Sequence, residues 1–395
     1  MKITSVDIYQ LHQRGDPMPR PVVCKVNTDE GIYGYGEAGV CYGKGSPASA
    51  WMIHELADLI IGMDPLEHEV IWNKLHKGTF WGQNGGPVVF AGISAIDIAL
   101  WDIKGKYFNV PVYKLLGGKM RDRLRTYASQ LQFGWGTEYS PGTPQYTLDD
   151  YKLQGQKAVA DGYDCVKVDV FTYKPDGSGA YDFTDTTGMI SPKMLGILED
   201  RIAAVREGIG PDCDFIIENH STPDAETAIQ IAHMAEKYNI FYFEEPNTPS
   251  PYSAKYIASR INIPVASGER IYTRWQYIPY FMDHSLAVIQ PDPANCGGIT
   301  ETKKICDMAH AFDVGVQPHV CSSPILTAAG LQLEAAIPNF VIHEQHIAAL
   351  DPSNRELGLY DYQPVNGYFE IPELPGIGNE LSEYAVETAD IMTVK

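Results

Sequence analysis

Six acidic or histidine residues stand where short apolar runs end, and they recur at nearly equal steps along the chain. They are Glu218, Glu244, Glu269, Asp292, His319 and Glu344, separated by 23 to 27 residues. The runs before them, FII, IFYF, IPVA, LAVI, VGV and FVI, are β-branched or aromatic. This is the spacing of strand–helix units laid side by side in a parallel barrel, whose strand ends carry polar groups to one mouth. The six side chains are therefore expected to converge.

Eight candidate strands can be counted in this part of the chain, at 125–131, 164–170, 214–218, 240–244, 263–267, 286–290, 314–318 and 340–344. Eight is the number that closes such a barrel. The residues before them follow another pattern. Strands are expected at 2–11, 21–28 and 32–37, with Asp29-Glu30-Gly31 as a hairpin turn, and helices at 47–62, 65–77 and 88–107. In the last helix Ile93, Ile96, Leu100 and Ile103 fall on one face. Strands followed by helices without alternation indicate an α+β domain. The predicted organisation is α/β: an α+β capping domain over residues 1–123, a TIM-type barrel over 124–350, and a tail, 351–395, that packs back on the cap. An insertion, Tyr173 to Ser191, rich in Gly, Asp and Thr, is either a surface loop or a substrate lid.

With 395 residues, 44% of them hydrophobic, the chain can bury a large core. A formal charge of −20 without a Lys/Arg block argues against nucleic acid or an anionic membrane as partner. Seven cysteines without CxxC spacing fit a reducing compartment better than a disulfide frame or a zinc site. The opening MKITSVDIYQL reads as a strand and lacks the basic-then-apolar pattern of a signal peptide, so the cytoplasm is the expected location.

Glu218, Glu244 and Glu269 on consecutive strand ends would repel one another unless a cation sits among them. Oxygen-only ligands favour Mg²⁺, with Mn²⁺ as a substitute. Separate salt bridges for each glutamate are the alternative. A metal so held can grip a carboxylate and stabilise the charge that develops when the adjacent carbon loses a proton. His319, beside Asp292 on the neighbouring strand end, is the candidate base. His220, two residues after Glu218, is a candidate proton donor if the strand continues, and otherwise a loop histidine on the rim. Lys167 and Asp169 share a strand face; they form an internal ion pair or take part in neutralising a substrate carboxylate. Glu344 is a candidate for binding a substrate hydroxyl or for the metal's surroundings.

The order Lys-x-Asp, Glu-Asn-His, Phe-Glu-Glu-Pro, Gly-Glu-Arg, Gln-Pro-Asp, Pro-His and His-Glu resembles the mandelate racemase branch of the enolase superfamily over nearly the whole chain. The resemblance implies an α+β cap over a modified (β/α)7β barrel. It also implies Glu218, Glu244 and Glu269 as ligands of one Mg²⁺, His319 with Asp292 as the base dyad, and His220 as the acid. GERIYTRW at 268–275, CGGITE at 296–301 and AAGLQLEAAIPNF at 328–340 are similar to galactonate dehydratases. Two features depart from that group: Glu218 stands where aspartate is usual, and VCSSP follows His319. FWGQNGG at 80–86 and QLQFGW at 130–135 are similar to 3,6-anhydro-L-galactonate cycloisomerases. On that basis Gln130, Gln132 and Trp135 are expected at the mouth, with Trp135 as a flat wall, and Gln83 and Asn84 are expected to reach down from the cap. FWGQNGG read without the resemblance is a Gly-rich turn anchored by Trp81.

The expected reaction is therefore loss of the proton α to a carboxylate with expulsion of the β-oxygen of a sugar acid. Ring opening by a cycloisomerase is the first expectation, water loss by an aldonate dehydratase the second, and a sugar-acid binding protein without turnover the remote third. Relatives of this fold imply a homo-oligomer.

Overall fold

Strands β1 (Ile3–Gln10), β2 (Val22–Thr28) and β3 (Tyr33–Ala38) form an antiparallel sheet. The chain is described from a computed structural model, which covers residues 1–13, 20–136 and 145–395. Helices α1 (Ser46–Ala57), α2 (His68–Gly78) and α3 (Pro87–Phe108) pack against that sheet. Ile93, Ile96, Leu100 and Ile103 of α3 are fully buried against Val6, Ile8, Val22 and Val26. Glycine in the YGYGEA strand sets the approach: a Cβ on Gly36 would lie 2.0 Å from the Ala95 carbonyl oxygen. Only a residue without a side chain lets β3 lie this close to α3.

After the short α4 (Val112–Leu115), strands β4 (Arg123–Ser129), β5 (Cys165–Asp169), β6 (Asp214–Glu218), β7 (Ile240–Glu244), β8 (Val265–Ser267), β9 (Val288–Ile289), β10 (Gly315–Val316) and β11 (His343–His346) lie parallel. Their order is β10-β9-β8-β7-β6-β5-β4-β11. The ring is joined by a parallel bridge between Val316 and Phe340, with the Val316 N–H donating to Asn339 O and the Val341 N–H to Val316 O, both at 2.8 Å. One helix follows each of the first seven strands: α5 (Leu148–Ala160), α6 (Pro192–Ile209), α7 (Ala225–Ala235), α8 (Pro251–Ala258), α9 (Thr273–Asp283), α10 (Gly298–Ala311) and α11 (Pro324–Ala336). This is the expected (β/α)7β barrel beneath an α+β cap.

The tail serves both parts. Strand β12 (Tyr368–Glu370) pairs antiparallel with β4 of the barrel, and β13 (Asp390–Val394) pairs with β1 of the cap. The expectation that it packs on the cap alone is therefore too narrow. The insertion at 173–191 folds against the barrel shoulder, where Arg201 donates to the carbonyls of Val170 and Tyr173 at 2.6 Å. All seven cysteines are buried and free. Among the described residues no helix is long and apolar enough to cross a membrane.

The CGGITE segment is where cap and barrel meet. The backbone N–H groups of Gly297 and Gly298 donate to Ser94 Oγ, the Thr300 N–H donates to Asp97 Oδ2, and Trp72 and Trp101 donate to Gly297 O and Thr300 Oγ1. A Cβ on Gly298 would stand 2.2 Å from Asp97 Oδ2, at a backbone φ of +80°. This seam fixes the cap over the barrel mouth, so that the loop after β3 delivers Tyr42 to the site.

Candidate active site

A cavity of about 380 Å³ opens at the C-terminal ends of the barrel strands. Lys167, Glu218, His220, Glu269, His319, Glu344 and Gln130 line it, as do Tyr42 from the cap and His346 from β11. Glu218, Glu244 and Glu344 end or lie within strands, where alternation and register bring them inward; Glu218 pairs in register with both Asp169 and Glu244. Glu269, Asp292 and His319 lie two or three residues beyond their strands, on loops.

Lys167 is the buried hub. Its Nζ lies 3.0 Å from Glu218, 2.5 Å from Glu244 and 3.0 Å from Glu344, and the side chain is 1% exposed. It does not pair with Asp169, as one reading of the sequence had it. One cation cannot balance three carboxylates. The side chains of Glu218 and Glu244 lie within hydrogen-bonding reach of each other; Lys167 meets Oε2 of Glu218 but Oε1 of Glu244, and Oε2 of Glu244 has no donor. Burial pushes both groups up, but the charges of His220 and Lys167 hold Glu218 well below the usual carboxylate range. Burial, and then the Glu218 charge, push Glu244 well above it. Burial likewise opposes ionisation of Glu344, yet Lys167, His319 and the other groups around it, the Ser129 hydroxyl among them, together outweigh it and bring the group to about 2.

The third expected ligand is turned elsewhere. Glu269 lines the same cavity but meets Arg270 and, at 3.2 Å, His319 Nε2. Among the described residues no three His, Cys, Asp or Glu side chains form a closed ligand cage. What the site offers is two adjacent buried carboxylates, one of them, Glu244, with an orphaned oxygen, and a third glutamate in reach of the same cavity. This all-oxygen donor set fits a hard divalent cation, and an orphaned buried carboxylate oxygen is otherwise costly.

Two histidine–aspartate pairs stand on either side. His319 Nδ1 lies 2.9 Å from Asp292 Oδ2. Asp292 is itself held by the Ala294 N–H and by Asn295, at 2.7 and 3.1 Å. Burial disfavours the imidazolium, but Glu269 and Asp292 together raise His319 well above the ordinary histidine range. His220 Nδ1 lies 2.6 Å from Asp169 Oδ2, and its Nε2 faces the Gln130 amide at 3.3 Å. Against burial, Glu218 and Asp169 raise His220 to about 10. The strand does not continue beyond Glu218, so alternation is not what brings His220 inward. The chain turns instead, with His220 at φ +46° and its N–H donating to Glu218 Oε1 at 2.8 Å. In the ring of eight strands β6 and β10 are four places apart, so the two dyads face each other across the mouth.

Four expected substrate contacts lie elsewhere. Strand β4 ends at Ser129, and Leu131–Phe133 forms a 3₁₀ turn, so Gln130 and Gln132 are not strand neighbours. Gln132 is buried behind the mouth, accepting from the Asp169 N–H at 3.1 Å and donating to Gln130. Trp135 packs against Tyr163 and donates to Asp161, away from the cavity. Gln83 accepts from Lys77, and the Asn84 carbonyl accepts from Gln276; neither residue lines the cavity. Among the described residues none of the 173–191 insertion lines it either.

Conversely, the sequence reading passed over Arg270, Glu245 and His346. Arg270 bridges Glu269 and the buried Glu245, which burial and then the Glu269 charge raise to about 7. The second glutamate of Phe-Glu-Glu-Pro and the arginine of Gly-Glu-Arg carried that signal. His346 shares the inward parity of Glu344 two residues earlier.

Comparison with known families settles the wider context. Residues 150–385 match the enolase C-terminal domain-like family, and residues 17–117 match the N-terminal domain of mandelate racemase and muconate lactonizing enzyme. The chain belongs to the mandelate racemase branch of the enolase superfamily. It is 34% identical over 394 residues to a D-galactonate dehydratase of Pectobacterium atrosepticum, covering 98% of this chain and 94% of that protein. The crystal structure of an enolase-superfamily member from Salmonella Typhimurium superposes with a TM-score of 0.96 at 51% identity, covering 100% of both chains. The 3,6-anhydro-D-galactonate cycloisomerase of Zobellia galactanivorans superposes at 0.82 with 27% identity, covering 99% of this chain and 100% of that one.

Proposed function

We propose that this protein is a Mg²⁺-dependent sugar-acid dehydratase that converts an aldonate such as galactonate into its 2-keto-3-deoxy acid. The carrying observation is the pair of histidine–aspartate dyads opposed across a cavity floored by Lys167 and its three glutamates. Full-length similarity to D-galactonate dehydratases supports the substrate class. Ring opening of an anhydro sugar acid, the first expectation from sequence, is the weaker reading: of the segments it rested on, only Gln130 and Phe133 line the cavity, and neither Trp135 nor the cap segment at 80–86 reaches it.

Glu218, Glu244 and Glu269 would hold the divalent cation, which supplies positive charge to the substrate carboxylate as negative charge builds on it. Lys167 adds a fixed cation to the same floor. His319, kept in orientation by Asp292, takes the α-proton on Nε2 once Glu269 is engaged elsewhere. The enediolate so formed expels the β-hydroxyl, to which His220, a cation steadied by Asp169, gives a proton. Water leaves, and the remaining enol ketonises. Atoms balance as aldonate to keto acid plus water. A small acidic substrate and further copies of the same chain are the partners this reading expects.

The test is incubation of the protein and Mg²⁺ with galactonate, other aldonates and 3,6-anhydrogalactonate, with carbonyl trapping and mass measurement of the product. A 2-keto acid lighter by one water is expected. A keto acid of unchanged mass from the anhydro sugar alone would favour ring opening, and no keto acid from any of them would overturn the reading.

A further inference from the structure

Beyond the residues that carry the reaction, the cavity contains one histidine with no catalytic task. His346 closes β11 and lines the side of the mouth shared with Tyr42, Phe133, Cys321 and Ala348. Its Nδ1 accepts the Ala348 backbone N–H at 3.1 Å, capping the 3₁₀ turn Ile347–Leu350, and Tyr42 Oη lies 3.5 Å from the same nitrogen. A backbone N–H can only donate, so Nδ1 must present its lone pair and the ring proton must sit on Nε2. Among the described residues that Nε2 has no hydrogen-bond partner.

We propose that His346 is a specificity-determining residue whose Nε2–H donates a hydrogen bond to a hydroxyl oxygen of the bound sugar acid, away from the reacting carbons. The inference rests on the sugar-acid reading and deepens it. The cavity divides by charge. Its floor, with Lys167, Glu218 and Glu344, and its flanks, with His220 and His319, are ionic and suit a carboxylate and moving protons. The His346 side is neutral and partly apolar, and Tyr42 there comes from the cap. A neutral donor on such a wall suits an uncharged oxygen: it satisfies a hydroxyl without adding charge, whereas an analogue lacking that hydroxyl leaves the donor buried and unpaired. Burial, with the charges of Lys167, His319 and His220, outweighs Glu344 and brings His346 down to about 3, consistent with a ring that stays neutral.

The experiment compares wild type, His346→Phe and His346→Gln on galactonate and on analogues deoxygenated singly at the carbons beyond the reacting pair. His346→Phe is expected to lower kcat/KM about 10- to 100-fold, mainly through KM, while His346→Gln, which keeps an N–H near the same place, recovers most of it. One deoxy analogue should cost wild type the same factor and cost His346→Phe nothing further. ¹⁵N spectra of histidine-labelled protein should show His346 as the neutral Nε2–H form from pH 5 to 8. Wild-type kcat/KM in His346→Phe, an equal penalty on every analogue, or an Nδ1–H or imidazolium ring would each overturn the assignment. Absence of turnover by wild type would instead sink the dehydratase reading; calorimetric titration of galactonate with Mg²⁺ into wild type and His346→Phe then decides, equal affinity refuting a role for His346.

Discussion

Two sets of buried carboxylates in this molecule are treated in opposite ways. At the seam between cap and barrel Glu37 and Asp102 have their own donors. Glu37 accepts from Ser323 Oγ at 2.5 Å and from the Leu326 N–H at 3.0 Å, and Asp102 accepts from the Tyr35 and Ile377 N–H groups, both at 2.9 Å, beside Lys106. At the mouth, Glu218, Glu244 and Glu344 share Lys167, and Oε2 of Glu244 and of Glu344 has no partner. These two seam carboxylates are satisfied without a ligand. The mouth is short of positive charge, which is what the proposed cation would supply.

The contrast breaks first at the base. His319→Asn should lower kcat about 10²- to 10⁴-fold while leaving the unfolding midpoint nearly unchanged, checked by steady-state kinetics beside thermal melts. A large stability loss would move His319 from the chemistry to the scaffold. Lys167→Met should cost about 3–5 kcal/mol without metal, because three buried carboxylates lose their cation, and added Mg²⁺ should restore part of it. Denaturant melts with and without Mg²⁺ read this directly. At the seam, Glu37→Gln should cost about 1–3 kcal/mol, since the amide cannot accept all the donors, and Mg²⁺ should recover none of it.

The smallest effect is a pH slope. Burial raises Asp97, which accepts the Thr300 N–H, to about 7. Its ordinary value is about 3.9, so between these limits the folded chain holds a proton the unfolded chain has lost. Its contribution is thus full below about pH 4 and falls as pH rises through 7, by no more than about 1.4 kcal/mol per pH unit. Asp97→Asn should flatten that part of a plot of stability against pH, and an unchanged slope would assign the titration to another group.

Much of this was legible in the chain because strand periodicity and the 23-to-27-residue step are local signals. They located all eight barrel strands and, of the residues that line the mouth, Lys167, Glu218, Glu269, His319 and Glu344. Side-chain direction after a strand ends is not local. His220 enters the cavity through a left-handed turn, and Trp135 leaves it because a 3₁₀ turn interrupts the parity assumed from β4. Glu269 could be placed at the mouth, but its partnership with Arg270 and His319 depends on which cations surround it. The role of CGGITE was also hidden: its glycines are needed by the cap helix that lies on them, and only tertiary contact reveals that.

The central claim is that the mouth glutamates await a divalent cation, and calorimetric titration of Mg²⁺ into metal-stripped protein, alongside Glu244→Gln, tests it most directly. The account predicts one Mg²⁺ bound per chain by the wild type, with a matching rise in the unfolding midpoint, and both weakened in the variant. No heat and no change in midpoint at millimolar Mg²⁺ would contradict it.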